Sequence, residues 1–105
     1  MKRLLFEGRA LDDLRNFPIA AKREAGFQLD RVQHGLDPKD WKPMKSIGSG
    51  VREVRIRAND GAFRVIYTAM VGDAVWVLHA FQKKTERTEQ RHIEIARQRF
   101  KAIGD

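Results

Sequence analysis

With 105 residues, a formal net charge of +7 and no cysteine, the chain has room for one modest core. It lacks the thiols for a disulfide framework or a thiolate metal site. Hydrophobic residues make up 42% and charged residues 33%, a balance that excludes a disordered chain. Apolar runs such as Val75 to Leu78 are too short to span a membrane.

Residues 1–105 read as a single domain. No apolar segment of signal-peptide length follows Met1-Lys2-Arg3, and acid arrives at Glu7. A cytoplasmic protein is therefore expected, and the absence of cysteine fits a reducing compartment. The charge is unevenly spread. Residues 1–41 hold 8 cations and 7 acids, whereas residues 42–105 hold 13 cations and 7 acids. The basic excess lies in the half that carries most of the strand signals, which suits nucleic acid or an acidic protein partner.

Lys2 to Phe6 is a short apolar first strand. Leu11 and Leu14 are spaced by three in a first helical piece after Gly8. Pro18 is suited to opening a second helix, where its missing N–H is not needed. From there Ala21, Ala25, Leu29, Val32 and Leu36 form one apolar stripe at helical spacing, ended by Gly35 and Pro38. Residues 37–50 read as a turn-rich connection that pins Trp41 and Met44 to the core. Three strands follow, Val51–Arg57, Ala62–Ala69 and Ala74–Phe81. The links at 58–61 and 70–73 carry the Gly, Asn and Asp of tight hairpin turns, so the three strands read as an antiparallel meander. The chain closes with a helix whose stripe is Ile93, Ala96, Phe100 and Ile103. Thr85 or Thr88 is suited to capping it, and Glu86 and Glu89 suit a first turn.

Period-two alternation places Phe63, Val65 and Tyr67 on one face of the middle strand, and Arg64, Ile66 and Thr68 on the other. In the preceding strand Glu53, Arg55 and Arg57 oppose Val54 and Ile56. One face is apolar and is expected to carry the helices. The other gathers arginines from two strands, with Lys83 and Lys84 leaving the last strand nearby. Guanidinium forks and ammonium groups on one face suit phosphate. Arg55 and Arg64 would bind a phosphate, with Lys83 and Lys84 beside them.

Other chemistries fare worse. His34, His79 and His92 lie in separate elements without metal-ligand spacing. Gly48-Ser49-Gly50 lacks the lysine of a phosphate loop. Ser46 and Ser49 have no nucleophile elbow. Trp41 and Trp76 sit among apolar neighbours and read as packing residues rather than base-stacking platforms. Glu53 is the sole acid inside the meander's strands; it is either a general base or the partner of a cross-strand arginine, Arg64 or Arg55. The residues alone favour binding over catalysis, because charge is a weak signal of reaction.

The order of elements, with Val51-Arg-Glu-Val-Arg-Ile-Arg57, Phe63-Arg-Val-Ile-Tyr67 and Val75-Trp-Val-Leu-His-Ala-Phe-Gln-Lys-Lys-Thr85, resembles the RelE/ParE superfamily of bacterial toxins. The segment His92-Ile-Glu-Ile-Ala-Arg-Gln-Arg99 is similar to the HigB-like, phage-derived branch. The resemblance implies an α+β, RelE-like fold in the order β-α-α-β-β-β-α, a twisted, mainly antiparallel four-stranded sheet with helices on one face. It implies the toxin of a type II toxin–antitoxin pair, a metal-independent endoribonuclease that cuts mRNA on the ribosome and needs no cofactor. Arg64 matches the family's strand arginine, Arg55 a basic position on the preceding strand, and Lys83 and Lys84 the basic pair after the last strand. Lys45, Arg57 and Arg87 would add contacts to the RNA. Glu53 stands where well-known members have a lysine, and the usual C-terminal tyrosine is missing. The acid–base group is thus open among Glu53, His79 and His92. The implied partners are a cognate antitoxin, expected to be a helix-turn-helix DNA-binding protein, together with ribosome and mRNA, and no membrane. The rival readings are a ParE-like gyrase inhibitor and a non-catalytic basic nucleic-acid-binding domain.

Overall fold

In the computed structural model, which describes residues 1–104, the elements run β1 (Arg3–Phe6), α1 (Ala10–Arg15), α2 (Ile19–Gln33), β2 (Trp41–Pro43), β3 (Val51–Ala58), β4 (Gly61–Thr68), β5 (Ala74–Lys83) and α3 (Gln90–Gly104). They build one sheet in the order β1-β5-β4-β3-β2. The β3–β4 and β4–β5 pairs are antiparallel, as the hairpin turns require. The first strand joins beside β5 and runs parallel to it, Arg3 against Ala74.

The α+β class holds, but the sheet has five strands where four were expected. The extra strand, β2, comes from the turn-rich connection, where Trp41, Lys42 and Pro43 pair with Val54, Glu53 and Arg52 along the free edge of β3. Pro43 is tolerated there because an edge strand need not donate on both sides.

The helices do not share one face, as was expected. α1 and α2 lie over the face that carries Val54, Ile56, Phe63, Val65 and Tyr67, with Ala21, Ala25, Leu29 and Val32 buried against it. α3 seats on the opposite face through Ala96, Ile93 and Phe100, against Val51, Ile66, Leu78 and Phe81. The reason lies in the sheet: Val51, Ile66 and Leu78 make one end of the second face apolar, and an amphipathic helix must bury its stripe somewhere. Full burial of a side chain such as Phe63 or Leu29 stabilises the fold by about 1.5–3 kcal/mol.

Two local readings also change. Leu36 is 52% exposed. α2 ends at Gln33, and Gly35, at φ 82°, turns the chain away before Leu36 reaches the stripe. α3 begins at Gln90, so neither Thr85 nor Glu86 belongs to it. Met44 is buried as expected, next to Ile47. No described helix is long and apolar enough to cross a membrane.

Candidate nucleic-acid interface

α3 covers only part of its face. The remainder holds the strand cations. Arg55 and Arg64 are directly opposed on β3 and β4. Lys83 enters from β5, where it pairs with Ala62, next but one to Arg64. The charges that bear on Lys83 are Arg64, Glu53, Lys42 and Arg55, and Asp40 and Arg57 also act on Arg64, so five cations and two carboxylates share the region.

Glu53 is at the centre and fully buried. Its Oε1 lies 3.6 Å from Arg64 Nε and 3.9 Å from Lys42 Nζ. Its Oε2 accepts a hydrogen bond from the Thr88 hydroxyl at 2.9 Å. Arg64 donates from Nη1 to the Phe63 carbonyl at 3.0 Å. Three buried polar atoms here have no hydrogen-bond partner: Glu53 Oε1, Arg55 Nε and Arg64 Nε. Glu53 Oε1 and Arg64 Nε face each other as an ion pair just beyond hydrogen-bond distance, which leaves Arg55 Nε as the donor without a protein acceptor nearby. Burial pushes the Arg64 guanidinium pKa down, with Glu53 opposing the shift, yet a guanidinium stays charged at any physiological pH. Burial also lowers the Lys83 pKa, and Arg64 adds to the effect.

The other expected residues lie around this cluster or beyond it, with Arg57 near enough for its charge to act on Arg64. Lys84 is exposed just past β5, and Arg57 is exposed toward the end of β3. Arg87 is exposed in the segment between β5 and α3. Lys45 lies beyond the other end of β3 and lines a separate cavity with Trp41 and Ser49. It does not join the cluster, because the connection bends away once β2 ends at Pro43.

His79 and His92 are brought together in one network. Their Nε2 and Nδ1 atoms are 2.8 Å apart, and His79 Nδ1 is 3.3 Å from Asp13 Oδ2. Both His79 nitrogens are engaged, which leaves none for a substrate. Arg99 completes the network by donating to Asp13 at 3.0 Å and to the Leu78 carbonyl at 2.9 Å. The His92 ring stacks on Phe81, with centroids 3.8 Å apart. Burial, and then the neighbouring His92, lower the His79 pKa to about 4. This network ties α1, β5 and α3 together. Among the described residues, no group of three or more His, Cys, Asp or Glu side chains is placed to hold a metal ion.

Lys42 and Thr88 are the members that sequence reading missed. Lys42 lay in a segment without strand pattern, and Thr88 looked like a helix cap. The register that sets Lys42 against Glu53 is invisible without the fold.

A half-covered sheet that gathers cations around the buried Glu53 defines a small α+β protein with a candidate anion-binding face. The chain belongs to the family described as "Phage derived protein Gp49-like (DUF891)", whose model matches residues 12–101. Its fold is that of RelE. It is similar to a doubly arginine-to-alanine substituted Escherichia coli RelE toxin in the free state, at TM-score 0.65 and 13% identity over 97% of each chain. The isolated E. coli RelE toxin aligns at TM-score 0.58 and 18% identity, covering 92% of this chain and 98% of that one. In the intact E. coli RelBE toxin–antitoxin complex, the matching chain aligns at TM-score 0.60 and 14% identity, over 81% of this chain and all of its own. No curated protein matches in sequence.

Proposed function

We propose that this protein is the toxin of a type II toxin–antitoxin pair and acts as a metal-independent, ribosome-dependent endoribonuclease. The observation that carries the reading is the directly opposed Arg55–Arg64 pair, with Lys83 beside it, on the uncovered part of a RelE-like sheet. The solved complex of RelE's fold with an antitoxin supports an antitoxin partner.

In this reading the scissile phosphate lies against Arg64 and Arg55, whose fixed guanidinium groups stabilise the charge that develops on the pentavalent phosphorus. The 2′-oxygen attacks its own phosphate and gives up its proton to water. The bond to the 5′-oxygen breaks, leaving a 2′,3′-cyclic phosphate. Lys83, its pKa lowered, is suited to protonating the departing 5′-oxygen, and Lys84 holds the adjoining backbone. Glu53 is too deeply buried to touch RNA; it positions Arg64 instead. His92 stacks on Phe81, which lies opposite Arg64 in the ladder. The ribosome supplies the alignment that so sparse a site lacks.

The test is induction in cells, with growth and mRNA integrity followed for the wild type and Arg64→Ala. Arrest with cleaved mRNA, lost in the variant, is expected. Arrest with intact mRNA and gyrase trapped on DNA would transfer the protein to the ParE-like reading. Salt-sensitive RNA binding without arrest would leave a binding module.

A further inference from the structure

On the sheet face opposite the cation cluster, a cavity of about 340 Å³ opens between the end of α2, the start of β3 and the end of β4. Its lining includes Lys2, Val32, Leu36, Arg52, Tyr67 and Met70. That volume is in the range of sites that bind ligands.

Two features distinguish it from a packing defect. Tyr67 is 1% exposed, and its hydroxyl faces the Arg52 guanidinium, a group that can only donate, so the hydroxyl proton has no acceptor. A buried hydroxyl in want of an acceptor asks for a polar atom in the cavity. Arg52, directly across the ladder from Tyr67, is held in place on two sides. Its Nη1 donates to Asp37 at 2.9 Å, and its guanidinium lies 3.8 Å over the Trp41 ring. The guanidinium also faces the Tyr67 hydroxyl, and the remaining N–H groups of its fork are left for a ligand.

The lining carries two cations, Lys2 and Arg52, against one acid, Asp37, and so favours one negative charge. Its walls are largely apolar. Leu36 and Met70, 52% and 76% exposed, extend the apolar surface outside the cavity. Methionine at such a rim adapts to a partner's shape.

We propose that this cavity receives an apolar side chain of an acidic peptide segment from a partner protein, with a carboxylate of that segment accepting hydrogen bonds from Tyr67 and the free edge of Arg52. A peptide is favoured over a small acid because the apolar rim continues past the cavity mouth. The chain's +7 charge selects such a partner. The site goes beyond the nuclease reading, since Tyr67 and Arg64 point to opposite faces of β4 and either function stands without the other.

The experiment titrates the full chain with acetyl-Leu-Glu-Leu-amide, its Gln analogue and N-acetylleucine, and follows the methyl resonances of Val32, Leu36 and Met70. The Glu peptide should shift all three saturably. The Gln analogue and Tyr67→Phe should each bind at least about tenfold more weakly, the expected loss of a hydrogen bond to a charged group. Leu36→Asp, on the exposed rim and with its folding checked by its urea midpoint, should weaken binding too, while Arg64→Gln should not. Equal binding by the Gln analogue, or by Leu36→Asp, overturns the proposal. N-acetylleucine binding as tightly as the peptide would make this a small-acid site instead. No saturable shift would mean that the cavity takes only water.

Discussion

Arg55 and Arg64 face each other across the β3–β4 ladder, like charges at the closest spacing that a sheet offers. Opposed like charges destabilise a sheet. The strands tolerate the pair because Glu53, two residues before Arg55 on the same face, is buried 3.6 Å from Arg64. Glu53 and Asp40 do not balance Arg55, Arg57, Arg64, Lys42 and Lys83, so the cluster keeps a positive excess. Natural sequences depart from local rules of this kind at functional sites.

Removing one member of the pair should therefore raise stability while weakening RNA binding. Arg55→Met keeps the aliphatic bulk and removes the charge. Its urea midpoint should increase, by about 0.2–1 kcal/mol of stability. In RNA binding, the slope of log K against log salt should become shallower by about one phosphate contact. A midpoint that falls would mean that Arg55 is paired in a way that the ladder does not show.

Glu53→Gln tests the carboxylate. The amide keeps the shape and the Thr88 contact but leaves Arg64 and Lys42 uncompensated. A loss on the order of 3 kcal/mol is expected, as for other buried charges deprived of a partner. Inorganic phosphate should restore part of it by occupying the emptied cation site, so that the melting temperature rises with phosphate more steeply than in the wild type. If phosphate and chloride act alike, the cluster does not bind anions.

Much of this geometry was legible in the sequence, and the parts that were not share a cause. Alternation in Val51–Arg57 and Ala62–Ala69 was enough to set Arg55 and Arg64 on one face, because both strands are regular. β5 is not regular. Its pairing skips Leu78 between Ile66–His79 and Tyr67–Val77, and this bulge puts His79 on the face of its neighbour Leu78, toward α3. A strict period of two would group His79 with Val75 and Val77. β2 escaped because three residues at an edge carry no periodic signal. Thr88 escaped because a threonine ahead of a helix reads first as a cap, and only the fold shows Glu53 beneath it. The partition of helices between two faces depends on which apolar patch each stripe finds, a tertiary choice that no window of sequence contains.

The histidine network predicts acid sensitivity. Burial and His92, opposed by Asp13, lower the His79 pKa to about 4, while the unfolded chain titrates near the ordinary value of about 6.5. Between these values the unfolded state binds more protons than the folded one, so stability rises with pH there and is lost as pH falls through the window. Chemical denaturation from pH 7 to 4 should show the slope, and His79→Asn, less stable at neutral pH, should show a flatter one. A variant curve parallel to the wild type would place the acid sensitivity elsewhere.

The seat of α3 is tested at Gly48. A Cβ there would overlap the Phe100 ring, which packs from α3 against the cluster of Val51, Ile66 and Leu78. Gly48→Ala must push the ring aside, and since Arg97 of the same helix donates to the Ser46 carbonyl at 2.7 Å, helix and loop are forced apart together. Overpacking of this kind costs about 1–3 kcal/mol. Phe100→Leu alone should destabilise by leaving space, yet in the Gly48→Ala background it should restore part of the loss, because the smaller side chain makes room for the new methyl. A double-mutant cycle should give a favourable coupling of about 0.5–3 kcal/mol. Simple additivity of the two changes would mean that loop and helix do not touch in solution. α3 would then not cover this end of the sheet, and the boundary of the cation face would have to be redrawn.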